Sequence, residues 1–258
     1  MAKKRTIVGS PLTPALLKEL GAVDALPSTS RDFNPADEWV NAYRLWTCHG
    51  YRESGNQNVG FLRIERVRDS DAAFTLKVHE EVLQTDAMVG IIDGAISCRN
   101  DPLASPIRWN LSSRSIGADG EDIPELRNTN NGVPTKGMDR ITGDWCLFEA
   151  VQRLAFDQQA SESFDLLEGM SLSKPNHRLS YGGVHSVNMG AGDTRLHRFV
   201  QFGSGILPYE YWLDARHRLL IVTSMNKAYL LDDRAGDIFA RDVEQARTSY
   251  RKKQSQRK

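Results

Sequence analysis

The sequence predicts a mainly β fold with one buried helix: a curved antiparallel sheet of about nine to eleven strands, a half-barrel wrapped on that helix, with peripheral helices at both ends of the chain. Three observations predict it. Period-two runs stand on both sides of a single amphipathic segment, and the turns between them are short enough to pair neighbours antiparallel. The composition, 40% hydrophobic and 26% charged over 258 residues, suits one core large enough to line such a sheet. On this reading the chain divides into an N-terminal arm over 1–38, a single sheet domain over 39–233 with its helix at about 144–156, and a C-terminal helix with a basic tail over 234–258.

In the arm, Thr13 caps a short helix that opens at Pro14, carries Leu16, Leu17 and Leu20, and stops at Gly21. Strand runs follow at about 40–49, 59–68, 73–84, 87–98 and 106–116, each bounded by turn residues such as Asp69-Ser70-Asp71 and Asn100-Asp101-Pro102. In the third run Phe74, Leu76, Val78 and Val82 share one face while Thr75, Lys77, His79 and Glu81 share the other, the pattern of a sheet with one wet side. The polar stretch Gly117–Asp139 has too few apolar residues for a core element and reads as a long loop. Asp144 then caps the one strong internal helix, which buries Trp145, Leu147, Phe148, Val151 and Leu154 and leaves Glu149, Gln152 and Arg153 for its polar side. The second set of strands lies at about 163–171, 177–188, 195–203, 206–214 and 217–226, the last apolar on both faces and therefore central. A helix from about Gly236 ends the chain in twelve residues with six basic and no acidic side chains.

Lysine plus arginine equals aspartate plus glutamate at 33 each, so no global field draws the chain to nucleic acid, and nucleic acid is not expected as a partner. The longest apolar stretches are far shorter than the roughly 18 residues of a membrane helix, so no transmembrane segment is expected. The start, Met1 to Arg5, has the charge of a signal sequence, but Pro11, Thr13, Pro14 and Lys18 interrupt its apolar core. The expected location is the cytoplasm for the chain as it stands, or the periplasm if a leader has been removed. Cys48, Cys98 and Cys146 are an odd number without CxxC spacing and read as small buried side chains.

The element order, with Asp144-Trp145-Cys146-Leu147-Phe148 opening the helix and Leu207-Pro208-Tyr209-Glu210-Tyr211-Trp212-Leu213-Asp214 and Arg218-Leu219-Leu220 closing the sheet, resembles the lipoprotein-carrier (LolA/LolB-like) half-barrels and the uncharacterised bacterial envelope families similar to them. The resemblance is architectural and covers roughly 40–232. It implies an apolar or amphipathic ligand held in the concave cleft, and no catalytic residues.

Two sets of side chains could carry function. On adjacent strands, Tyr181, His185, Arg195 and His197 converge if the Gly190–Asp193 turn makes a hairpin in plain register. A base, an acid and a cation are what proton abstraction beside a carboxylate requires, as in a lyase or isomerase. A bulge near Gly182-Gly183 would turn His185 away, and the alternative for the set is a solvated strand face. Tyr209 and Tyr211, with Trp46 and Trp109, form either the mouth of a ligand cleft, apolar or sugar-stacking, or plain core. His177, His185 and His197 lack the spacing of a metal site, and no GxSxG, P-loop or GxGxxG motif is present. The expected function is therefore a ligand-binding half-barrel, with a carbohydrate-active or acid–base enzyme as the alternative. The expected ligand is a small molecule, lipid-like or carbohydrate; the cofactor is unknown, and the oligomeric state is open.

Overall fold

The computed structural model describes residues 33–48, 57–134, 140–157, 161–188 and 193–256. The expected arm helix at 14–20 lies outside the described residues. The strands are β1 (Trp39–Thr47), β2 (Gln57–Arg68), β3 (Ala73–Leu83), β4 (Val89–Arg99), β5 (Pro106–Ile116), β6 (Asn128–Gly132), β7 (Ile141–Gly143), β8 (Ser161–Glu168), β9 (Leu172–Asn188), β10 (Asp193–Phe202), β11 (Tyr209–Leu213), β12 (Leu219–Thr223) and β13 (Lys227–Leu231). The helices are α1 (Asp144–Arg153) and α2 (Ala235–Ser255).

All these strands join one sheet in the order β6-β5-β4-β3-β2-β1-β13-β12-β11-β10-β9-β8-β7. Every pair is antiparallel except β7 with β8, so consecutive strands lie side by side and the long-range closure falls to β1 against β13, with Tyr43 opposite Leu231. The mainly β, curved and unclosed sheet is the architecture expected from the period-two runs. Its two edges approach each other without pairing. Asn130 on β6 donates to the carbonyls of Gly169 and Met170 at 3.1 Å, and the Thr142 hydroxyl of β7 donates to Leu103 O at 2.7 Å.

The helix α1 occupies the concave side. Eight consecutive residues, Trp145 to Gln152, are buried, and the Phe148 ring lies edge-on to Tyr43, Tyr211 and Tyr229 at 5.2–6.4 Å between centroids. Three expectations are corrected here. The helix ends at Arg153, because Leu154 has extended backbone. Asp144 is its first residue, one position after the N-cap Gly143, and accepts from the amides of Trp145 and Gly169 at 3.1 Å. Glu149 and Gln152 are fully buried instead of lining a wet face, since a sheet that wraps the helix leaves it little solvent side. Gln152 accepts from Leu219 N at 3.0 Å and donates to Phe148 O at 2.9 Å, which satisfies both ends of the amide.

Two further corrections concern strands. The segment 128–132, Asn-Thr-Asn-Asn-Gly, is a strand and not loop, because an edge strand pairs through its backbone and needs no apolar face. Lys227–Leu231 and Ile141–Gly143 are also strands that the periodicity did not mark. The strand β12 is buried at every position, as its two apolar faces required. On the outer face α2 packs over β1 and β2, with Phe239 and Val243 against Val89 and Ile91. Cys48, Cys98 and Cys146 are buried and free, with Cys98 Sγ 3.8 Å from Cys146 Sγ.

Candidate functional site

The sequence-derived proton-transfer set divides at one irregularity. In the β9–β10 hairpin, Leu196 pairs with His185 and His197 with Val184, but Phe199 pairs with Tyr181, so the register shifts opposite Gly182-Gly183. Gly183 has φ +88°, a conformation that glycine supplies without steric cost. The consequence is geometric. Tyr181 and His197 share the concave face, with Oη to Nδ1 at 2.7 Å, and Arg195 lies two residues before His197 with its side chain exposed. His185 pairs one position out of phase and turns to the other face, where its ring stands 5.6 Å from Trp212 and its Nε2 donates to Gly182 O at 3.0 Å. Three of the four candidates are thus brought together and His185 is not.

Two neighbours were missed. The Phe156 ring is sandwiched between His197 at 3.6 Å and His217 at 3.8 Å, nearly parallel to both. Burial holds the pKa values of both imidazoles below the ordinary range; at His197 the charges of His217 and Arg195 add to it and Asp214 opposes. Neither Phe156 nor His217 carried a sequence signal, because the helix end and a β11–β12 turn meet only in the fold. His177 belongs to a different structure: buried in the sheet, its Nδ1 accepts from Gln201 at 3.1 Å and its Nε2 donates to Ser204 O at 3.2 Å. Among the described residues no group of three or more His, Cys, Asp and Glu is placed to hold a metal ion.

The aromatic set also divides. Trp46 follows Leu45 on β1 and faces away from α1, buried beneath the Arg44 guanidinium at 4.8 Å; the expectation that it lines the concave cleft is corrected. Trp109 is on the concave side but buried, its ring against Gly132 and its Nε1 donating to Asn130 at 3.1 Å. Tyr211 is buried and donates to Gln201 at 2.8 Å, while Tyr209 beside it is half-buried. None of the four forms an open stacking platform.

The open part of the concave side lies beside the first turn of α1. Two adjoining recesses, about 220 Å³ and about 430 Å³, share Ile92 and Ser113. Together they make a groove along β4 to β6. Its apolar surface comes from Ile92, Leu111 and Trp145, its polar surface from Ser113, Asn128 and Asn130, and Glu80 lines one end. Glu80 accepts from Trp145 Nε1 at 3.1 Å, and burial pushes its carboxyl pKa up. Burial also raises Asp144, to about 6, with the charges of Glu80 and Glu168 adding to the shift. Tyr209 is pushed up to about 12 by burial and by Asp144, Glu168 and Glu80. These groups come from β3, α1, β8 and β11, so no spacing in the sequence could have gathered them.

No protein-family model matches the chain, and no curated protein matches it. Among solved structures it is similar to a β-barrel-like protein of a domain of unknown function (DUF1849) from Brucella abortus, at 12% identity and a TM-score of 0.44, over 76% of this chain and 95% of that one.

Proposed function

We propose that this protein is a binding protein that holds an amphipathic small molecule in the groove along β4 to β6. The observation that carries the reading is the groove's composition: an apolar floor of Ile92, Leu111 and Trp145 beside the hydroxyls and amides of Ser113, Asn128 and Asn130. Asn130 is already bonded to Trp109, Gly169 and Met170, but a purely apolar ligand would leave Ser113 and Asn128 without water or partners, and a fully hydrated one would gain nothing from the floor. Much of the remaining concave side is filled by α1, which confines the ligand to this strip. The resemblance to carrier half-barrels, which hold their ligands on the concave side, agrees with this placement.

The test is calorimetric titration with dodecyl maltoside below its micelle concentration. Saturable binding that falls about tenfold or more in Ser113→Trp, where the indole fills the shared part of the groove, supports the reading. Binding of equal strength in that variant sinks it.

The second reading, acid–base catalysis, rests on the 2.7 Å bond between Tyr181 and His197. It uses Tyr181 as acid, His197 as base and Arg195 as the clamp for a carboxylate, without His185.

A further inference from the structure

We infer that the inner end of the groove, at Glu80, takes the cationic head of the ligand: an alkylammonium group. The inference rests on the groove being the binding site and specifies what it recognises.

Glu80 is only 9% exposed, yet one of its carboxyl oxygens has no hydrogen-bond partner among the described residues, and the side chain lines the recess. Trp145 fixes the other oxygen, so the carboxyl cannot swing out to solvent without breaking that bond. Trp145, whose indole holds Glu80, lines the adjoining recess and sets an aromatic ring beside that carboxyl. Carboxyl groups backed by aromatic rings are the chemistry that recognises ammonium ions: the ring faces attract the cation, and the carboxylate supplies its counter-charge.

The charged groups around Glu80 are mixed in sign. Asp144, beside Trp145 on α1, adds a like charge, while Lys227, exposed at the start of β13, favours the ionised carboxyl and Arg114 lines the same recess. Without a ligand, burial favours the protonated acids. A bound cation favours the carboxylates, so cation binding releases protons and strengthens as pH rises.

Three amphiphiles with one chain and different heads test this: dodecyltrimethylammonium, dodecyl maltoside and dodecanoate, each titrated by calorimetry below its micelle concentration at pH 5 and pH 8. The expected result is an affinity about tenfold higher for the ammonium than for the maltoside at pH 8. That preference should shrink at pH 5 and be lost in Glu80→Gln, in which the amide oxygen still accepts from Trp145. Equal binding of all three heads by the unsubstituted protein leaves the groove reading in place and overturns this one. Preference for dodecanoate overturns it as well, and failure of all three to bind overturns both.

Discussion

Arg66 Nε on β2 lies 3.0 Å from Glu149 Oε1 on α1, with the two side chains 2% and 0% exposed. Arg153 closes on the same carboxylate from one helical turn away, Nε to Oε1 at 2.6 Å, so one buried anion serves two guanidinium groups. Arg66 Nη1 also donates to the carbonyls of Ala36 and Asp37 at 2.6 and 3.0 Å, and its guanidinium lies over the Phe74 ring at 4.3 Å. The helix is therefore tied to the sheet by a satisfied charge network as well as by Phe148. Glu149→Ala leaves Arg66 buried without its counter-charge and should cost about 3–5 kcal/mol in urea denaturation. The double variant Arg66→Met, Glu149→Met should lose clearly less than the sum of its single variants. A strictly additive pair would mean that the network adds nothing beyond packing.

That network shows where sequence reading reached its limit. The alternation of Phe74, Leu76 and Val78 marks a strand because the period is local, and those residues do face the core. Glu149 looks like a surface residue because a helix normally keeps one face in water; its partner Arg66 is 83 residues away and no local pattern links them. The strand at Asn128–Gly132 was illegible for the opposite reason: its pairing uses backbone groups, and its side chains serve the seam between the sheet edges. At the candidate sites the Tyr181–His197 contact depends on the bulge at Gly182-Gly183: between the turn and His197 the pairing places Tyr181 and His185 on one face and His197 on the other, and the shift carries Tyr181 across to His197 and leaves His185 behind. The meeting of Glu80 with Trp145 and Asp144 depends on how far the sheet curls around the helix, which strand periodicity does not encode.

His79 gives a pH dependence with a definite sign. Its Nδ1 is 2.5 Å from Asp93 Oδ1 and its Nε2 is 3.0 Å from Glu81 Oε1. The Glu81 hydrogen bond, with Asp93 adding to it and burial opposing, raises the imidazole to about 8. A folded-state value above the ordinary 6.5 means that the stabilisation is complete below pH 6.5 and is lost as pH rises through about 8. The effect should be roughly 1 kcal/mol or less, because the pair is partly open to water. Asp144 also destabilises with rising pH, but through about 6. The two separate in a comparison of thermal melts: the melting temperature should fall between pH 6.5 and 8.5 in the unsubstituted protein and fall less in His79→Gln. Parallel curves would show that the His79 pairs do not hold in solution.

The histidine stack gives the sharpest test of the acid–base reading, because the neighbours of His197 act on its pKa through different physical causes. Phe156 excludes water from one imidazole face, and the positive charges of His217 and Arg195 oppose another nearby. Removing any of them should raise the His197 value in a proton NMR titration. Burial is the leading cause, so Phe156→Ala should raise it more than Arg195→Ala, whose charge is screened at the exposed surface. His185→Ala should leave it unchanged, since that ring lies on the opposite face beside Trp212. If the dyad transfers protons, Tyr181→Phe should slow turnover of a carboxylate-bearing substrate by roughly 10²–10⁴-fold with little change in melting temperature, and His185→Ala should not slow it. Equal losses of turnover in His185→Ala and Tyr181→Phe would contradict the register at Gly182-Gly183, because only a hairpin without that bulge puts His185 on the same face as Tyr181.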